Sequence, residues 1–199
     1  MLRKKHFTGL RVKKPNEMGC KNGCDGWGRN VFCGMMVLDI PRYDYFVCAS
    51  GREYFFESVG HRGLIQKIAF FDAISNHVYN LGFGDLDEET GEVSDTVVSG
   101  NGDAERVLGT LAHIIHDFTG RHPEAVVFIK GSDAIRTRWY QMHIRSHWET
   151  INTVFDVCGF RNNRWEPFTN GKNYEAFIAR RKKTFFFWGR VHTYQGEII

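Results

Sequence analysis

The sequence predicts an α+β fold in which helices pack on one mixed sheet. From Tyr43 onward, apolar and polar residues alternate in short stretches separated by glycine-containing turns, which is typical of an antiparallel meander. The period then changes to that of a helix, and a continuous apolar run of strand length follows. With 42% hydrophobic and 15% aromatic residues, the chain can bury a sizeable core. We therefore expect a meander followed by helix, strand, helix, strand and strand.

Four stretches make up the predicted meander: "YDYFVCAS", "EYFFESV", "LIQKIAFF" and "VYNLGFG". In the first of them, alternation places Tyr43, Tyr45, Val47 and Ala49 on one face of a strand. The turns "SGR" and "GHRG" separate the first three strands, and "AISNH" is expected to connect the last two. The later segment "DTVVSG" is a candidate for one more short strand.

The first predicted helix lies in "NGDAERVLGTLAHIIHDFTG". Asp103 is expected to be its N-cap, because a carboxylate accepts hydrogen bonds from the amides of the first turn. Gly120 is expected at the C′ position, where the left-handed conformation favours glycine. The spacing predicts a buried apolar stripe of Val107, Leu111, Ile114, Ile115 and Phe118.

The second half of the domain is predicted to alternate strands and helices. "AVVFI" suits a strand covered on both faces, and Ser132 or Asp133 is expected to cap the helix that follows. We expect that helix to bury an apolar stripe of Ile135, Trp139 and Met142. "HWETINTVF" supplies another turn or two of helix, and "FDVCGF" and "NYEAFIARR" are the last two predicted strands.

Composition divides the chain into three regions. Residues 1–42 form an irregular Gly- and Cys-rich N-terminal extension, residues 43–182 a single α+β domain, and residues 183–199 an aromatic tail. The tail places three phenylalanines and a tryptophan in a row, which a monomer would not leave in water. Either the apolar segment at 31–40 or a second copy of the chain covers this patch, and we favour a homodimer.

Several classes of protein are disfavoured. No stretch is long and apolar enough for a membrane helix, and no signal peptide is evident, so we expect a cytoplasmic protein with reduced thiols. A net charge of +3 is too small to argue for nucleic acid, although the basic residues are clustered near both ends. Zinc could bind Cys20, Cys24 and Cys33 with His6, Cys48 or His61 as a fourth ligand. No second close cysteine pair follows, however, so we expect no metal.

Four segments resemble an uncharacterised bacterial family that is known as a domain of unknown function. They are "YNLGFGD", "VSGNGDAERVLGT", "GSDAIRTRWY" and "NYEAFIARR". The resemblance covers about residues 43–182 and implies no particular reaction.

The order of elements from the meander onward also resembles the GCN5-related N-acetyltransferases, more distantly. "RVLGTL" is similar to their R/Q-x-x-G-x-G/A segment at Arg106 and Gly109, with Leu111 in place of the final Gly or Ala. That segment opens a helix whose amides hold the pyrophosphate of acetyl-CoA. "SDAIRTRWY" offers Tyr140 for the tyrosine that protonates the departing thiolate, and Ser132 near the place of an asparagine. The resemblance implies an acyl-CoA-dependent N-acyltransferase with acetyl-CoA as its cofactor.

Two segments are candidate anion sites on the residues alone. Arg136 and Tyr140 are four residues apart and share a helix face, where Arg136 could hold a phosphate at the end of a strand. The same residues could equally be solvent-facing residues of an ordinary helix. In "SGNGD" two glycines precede a helix, but the charge of Asp103 occupies the place that an anion would take.

Two functional hypotheses follow. The first is an acyltransferase-like protein, catalytic or not, that binds a CoA- or nucleotide-type phosphate ligand through Arg106, Gly109, Ser132 and Arg136, with Tyr140 as the catalytic residue. The second is a non-enzymatic or toxin–antitoxin-type interaction protein that binds nucleic acid or a protein partner. Its support is the clustered basic residues and the absence of a recognisable catalytic set.

Overall fold

A computed structural model describes residues 38–87, 89–94, 100–187 and 190–193, and the side chains of those up to residue 183. The elements are β1 (Tyr45–Val47), β2 (Glu53–Gly60), β3 (Gly63–Ser75), β4 (Val78–Leu86), β5 (Val93–Ser94), α1 (Ala104–Arg121), β6 (Val126–Ile129), α2 (Ala134–Ser146), α3 (Trp148–Val154), β7 (Phe155–Arg161), β8 (Arg164–Pro167), β9 (Ala176–Arg181), β10 (Thr184–Phe187) and β11 (Arg190–Thr193).

The strands form one mixed sheet and a separate hairpin. The order in the sheet is β1-β2-β3-β4-β6-β9-β7-β8, with β5 beside β4, whereas β10 pairs with β11. The pairing of β4 with β6 is parallel, with Val78 opposite Val126, and the pairings of β6 with β9 and of β9 with β7 are antiparallel. The predicted α+β architecture with one mixed sheet is therefore confirmed.

The chain forms two compact units. The first comprises Met1–Asp72 and Gly82–Ile114, and the second comprises Ala73–Leu81 and Ile115–Ile199. The predicted extension at 1–42 and the aromatic face of the tail lie almost entirely outside the described residues and side chains. Of the extension, residues 38–42 are described, and Leu38 and Ile40 among them are buried.

In the first unit, strand β2 is buried on both faces. On one face the ring of Phe56 stacks with Tyr43 and Phe83, at centroid distances of 6.2 and 6.1 Å. On the other face Phe55 joins a buried apolar cluster with Ile68, Phe70 and Val93. This explains why "YFF" is continuously apolar rather than alternating.

The structure corrects two of the predicted strand boundaries and adds one strand. β3 continues to Ser75, so "AISNH" is mostly strand and the turn is confined to Asn76 and His77, where His77 has a φ of 61°. Ala49 is exposed in a turn because β1 ends at Val47. Strand β8 was missed in the sequence. It pairs with β7 through a turn at Asn162 and Asn163, whose φ angles of 47° and 61° are those of a two-residue hairpin loop.

Helix α1 buries the stripe that the sequence predicts. Its apolar residues Val107, Leu111, Ile114, Ile115 and Phe118 are all buried. The predicted C′ role of Gly120 is wrong, because the helix continues to Arg121 and the φ of Gly120 is not positive. After α1 ends at Arg121, the chain turns, and the Ala125 amide donates a hydrogen bond to the His122 carbonyl within this turn.

Helix α2 does not bury the predicted apolar stripe, although the three residues of the stripe do share one face of the helix. Ile135, Trp139 and Met142 are 64%, 38% and 57% exposed. The buried residues of α2 are instead Thr137, Gln141, His143 and Ile144, three of which are polar. The helix therefore presents its apolar face outward and packs through a largely polar one. Its end at Ser146 and the further short helix α3 are as predicted.

Candidate functional site

The first turn of α1 is tied to β2 by hydroxyl groups. Asp103 occupies the N-cap position, since the Val107 amide donates to its carbonyl oxygen. Its carboxylate Oδ2 accepts from the hydroxyls of Tyr43 and Ser58, at 2.8 and 2.6 Å. Burial raises the pKa of Tyr43 above its ordinary value. The carboxylate of Asp103 is thus held in a hydrogen-bonded network, and an anion that binds at this helix start would have to displace it.

Residues 100–103 close the turn between β2 and β3. The buried amide of Asn101 donates to Ser58 Oγ at 2.9 Å and to the Gly63 carbonyl at 3.1 Å, and its Oδ1 accepts from the Arg62 amide at 2.9 Å. Gly102 adopts a φ of 82°, which glycine adopts without strain. Both features give this loop a structural role.

Arg106 and Gly109, the first two predicted cofactor-binding residues, face the segment that precedes β1. The Arg106 guanidinium lies 4.1 Å from the ring centroid of Tyr43, and its Nε donates to the Arg42 carbonyl. A Cβ at Gly109 would overlap the Pro41 carbonyl oxygen. Glycine at this position therefore allows the chain to pass close to α1, which is sufficient reason for its presence.

The turn between β6 and α2 holds Ser132 and Arg136. Of the two predicted caps, Asp133 is the N-cap, and its carboxylate accepts from the Arg136 amide at 2.7 Å. The Arg136 guanidinium binds the Ser132 hydroxyl and is largely covered, with 13% of its side chain exposed. A Cβ at Gly131 would lie 2.5 Å from the Thr137 nitrogen, so the turn packs tightly on the helix.

The inner face of α2 is anchored by side chain to backbone hydrogen bonds. Thr137 Oγ1 accepts from the Gly131 amide at 3.1 Å. Gln141 Nε2 donates to the Lys172 carbonyl at 2.7 Å, and its Oε1 accepts from the Tyr174 amide at 3.1 Å. These bonds satisfy the buried polar groups of Thr137 and Gln141 and set the rotation of the helix about its own axis.

A histidine pair lies where α2 passes into α3. The rings of His143 and His147 have centroids 4.5 Å apart, and His143 is buried, with no hydrogen-bond partner at its Nε2 among the described residues. Burial and, to a lesser extent, the neighbouring His147 together lower the pKa of His143 to about 4. His143 is therefore neutral at physiological pH and adds no charge to the helix.

The outer face of α2 combines three apolar side chains with two cationic ones. Ile135, Trp139 and Met142 follow at intervals of four and three residues, and Arg138 and Arg145 line one side of this stripe. Arg138 also binds the Asn173 side chain. No residue of this face is acidic, and we call these five residues the outer face of α2.

The model of a family of unknown function, DUF6934, matches residues 39–182. The chain belongs to this family. No curated protein and no solved structure matches it. Membership in a family of unknown function, expected from the four quoted segments, is thereby confirmed, and the matched range begins at Asp39, six residues before β1.

In this DUF6934 chain the predicted site residues do not form one cluster within either unit. Arg106 and Gly109 belong to the first unit, whereas Ser132, Arg136 and Tyr140 belong to the second. Ser132 and Arg136 are in contact, and Tyr140 is half-buried one turn after Arg136. Their assignment to a ligand remains a prediction.

Metal binding finds no support in the described part of the DUF6934 chain. There, no group of three or more histidine, cysteine or acidic side chains is arranged to hold an ion. Cys20, Cys24 and Cys33 lie outside the described residues, so the zinc alternative stays untested. None of the three described helices combines the length and the apolar character that crossing a bilayer requires.

The sequence reading missed the outer face of α2 as a candidate site. Its signal was the pair of polar residues Thr137 and Gln141, which lie four residues apart on the helix face opposite the apolar stripe, where a core would require apolar side chains. A helix with one apolar stripe and one polar stripe normally buries the former. In α2 the polar face is buried instead, because Gln141 forms hydrogen bonds with residues more than 30 positions away in the chain.

Proposed function

We propose that the protein is an interaction module that binds a protein partner through the outer face of α2. The observation that carries the proposal is the orientation of α2 about its own axis. The helix buries Thr137 and Gln141 and exposes Ile135, Trp139 and Met142. Burying one such apolar side chain fully stabilises an assembly by about 1.5–3 kcal/mol. A contiguous apolar stripe on an ordered helix is typical of a surface that another protein covers.

The anchoring of α2 supports this proposal. Rotating the helix to bury Trp139 would remove both hydrogen bonds of Gln141 and the bond of Thr137, of which two are buried and the one to the Lys172 carbonyl is partly buried. Leaving such groups unsatisfied costs about 1–3 kcal/mol apiece. The stripe is thus held outward by the fold and is available for a partner without rearrangement. Tryptophan, moreover, is enriched among the residues that dominate binding energies.

A photo-crosslinking experiment tests the proposal. The full chain carries p-benzoylphenylalanine at position 142, with position 124 as the control, since Glu124 is also exposed but lies outside α2. We expect adducts at 142 that are not formed at 124. The captured protein is then produced and its affinity measured by calorimetry, and Trp139→Ala should weaken it at least tenfold, about 1.4 kcal/mol. An unchanged affinity with Trp139→Ala would contradict the proposal.

A phosphate-containing ligand of the CoA or nucleotide type is the second candidate. Its support is the sheet, in which a parallel pair, β4 with β6, stands among antiparallel strands and β6 leads through Gly131 into α2. In an acyltransferase-like reading, Ser132 and Arg136 contact the phosphate and Tyr140 acts on the leaving thiolate. The ligand would have to replace the hydrogen bond between Arg136 and Ser132. Its phosphate would also lie near the negatively charged carboxylate of Asp133.

Calorimetry with acetyl-CoA tests this second candidate. Binding that Arg136→Ala abolishes, and that the exposed control Arg164→Ala leaves intact, would support a ligand at this turn. The absence of heat and of any thermal shift at millimolar acetyl-CoA would remove it. Neither result bears on the outer face of α2, because Arg136 is not among its five residues.

A further inference from the structure

We infer that the partner of the outer face of α2 presents an amphipathic helix whose flank is acidic. This inference rests on the proposed function and adds the chemistry of the occupant. The apolar stripe extends from Ile135 to Met142, which is about 10 Å of helix at 1.5 Å per residue, or two turns. An apolar stripe of two turns matches the i, i+3/i+4, i+7 anchors by which a partner helix docks.

The charges on α2 select an acidic partner. Arg138 and Arg145 are exposed, seven residues apart, and so lie on the same side of the stripe two turns from each other. No acidic side chain shares the outer face, and the one carboxylate of α2's N-terminal region, Asp133, is occupied as the N-cap. A docked helix with carboxylates along one flank would pair with both arginines at the rim of the apolar contact.

A second copy of the chain fits this face less well. If two α2 helices packed against each other, each arginine would meet a face that holds no carboxylate, whichever way the helices ran. In an antiparallel two-fold pair the arginine sides would lie next to each other, and like charges in contact are unfavourable. The cationic residues therefore disfavour pairing of α2 with itself.

Nucleic acid also fits less well than a protein helix. Phosphates would pair with Arg138 and Arg145, and a base could stack on Trp139. Ile135 and Met142, which are more than half exposed, would then gain no apolar cover from the sugar–phosphate backbone. An acidic amphipathic helix satisfies the apolar stripe and the arginines together, which is why we choose it over the other two.

The experiment uses two designed helical peptides of 18 residues that differ in one flank. Both carry leucine at i, i+4 and i+7, and one has glutamate where the other has lysine along the flank. Binding to the full chain is measured by calorimetry for wild type, for Arg138→Glu/Arg145→Glu and for Trp139→Ala. We expect the glutamate peptide to bind wild type at least tenfold more tightly than the lysine peptide. The double variant should reverse this order, and Trp139→Ala should weaken both peptides.

Each other outcome is decisive. Equal affinity for both peptides, lost with Trp139→Ala, would overturn the acidic preference and keep the docking site on α2. Binding that Trp139→Ala does not alter would contradict the proposed function itself. Failure of the glutamate peptide to bind at millimolar concentration would overturn the inference. The inference would also be overturned if a single-stranded 20-mer DNA bound more tightly than the glutamate peptide and the double variant lost this binding. A monomer–dimer equilibrium that Trp139→Ala abolishes would overturn it as well.

Discussion

Helices α1 and α2 bury opposite kinds of surface. α1 follows the amphipathic rule and covers the sheet with its apolar stripe, so that Ile114 and Phe118 are inaccessible to solvent. α2 is held by the hydrogen bonds of Thr137 and Gln141 and turns its apolar residues outward. The comparison teaches that an amphipathic pattern predicts which residues share a face, while the neighbours of the helix decide which face is buried.

The largest expected effect concerns the buried face of α1. Phe118→Ala should destabilise the protein by about 3–5 kcal/mol, because a fully buried ring in edge contact with Tyr79 is lost and a cavity remains. Chemical denaturation followed by circular dichroism measures the change. A loss below 1 kcal/mol would mean that apolar burial does not hold α1 in place.

The buried histidine of α2 makes stability depend on pH. The pKa of His143 is lowered to about 4 in the fold, so the unfolded chain binds more protons between about pH 6.5 and 4. The stabilisation is complete above pH 6.5 and is lost as the pH falls towards 4, by about 1.4 kcal/mol for each pH unit. The slope of unfolding free energy against pH should be reduced in His143→Gln. Identical slopes would show that His143 is protonated in the fold.

The next largest loss of stability is expected when the hydrogen bonds by which Gln141 anchors α2 are removed. Gln141→Met keeps the volume of the side chain but removes both hydrogen bonds to the loop at Lys172–Tyr174. We expect a loss of about 1–3 kcal/mol, because the buried amide of Tyr174 and the partly buried carbonyl of Lys172 are left without partners. Thermal unfolding measures it, and the exposed Glu175→Gln serves as the control. A neutral Gln141→Met would indicate that packing alone orients the helix.

The smallest effect should come from the outer face of α2. Met142→Ser removes an exposed apolar side chain and should change the unfolding free energy by less than about 0.5 kcal/mol. The contrast with Phe118→Ala separates a surface that stabilises the fold from one that is left for binding. A loss of several kcal/mol would show that another part of the chain covers Met142.

The sequence predicted those features that depend on local pattern. Residues close to one another in the chain determine the period of α1, its start just after Asp103, the meander and the termination of α2 at Ser146. Strand β8 was missed although Asn162-Asn163 is a recognisable hairpin turn, since the strand itself is only four residues long. The candidate site could not be predicted, because the partners of Gln141 lie in a loop that the helical pattern does not reveal.

By itself the sequence determined the α+β class and which apolar residues share a face of α1 and of α2, because periodicity and local turn chemistry act over a few residues. The tertiary structure alone decided that Asn101 binds the turn between β2 and β3 and that the carboxylate of Asp103 accepts from the hydroxyls of Tyr43 and Ser58. It also decided that α2 exposes Ile135, Trp139 and Met142. The physical reason is the same in both cases. Polar groups that find hydrogen-bond partners far along the chain can be buried at little cost, and only the fold brings those partners within reach.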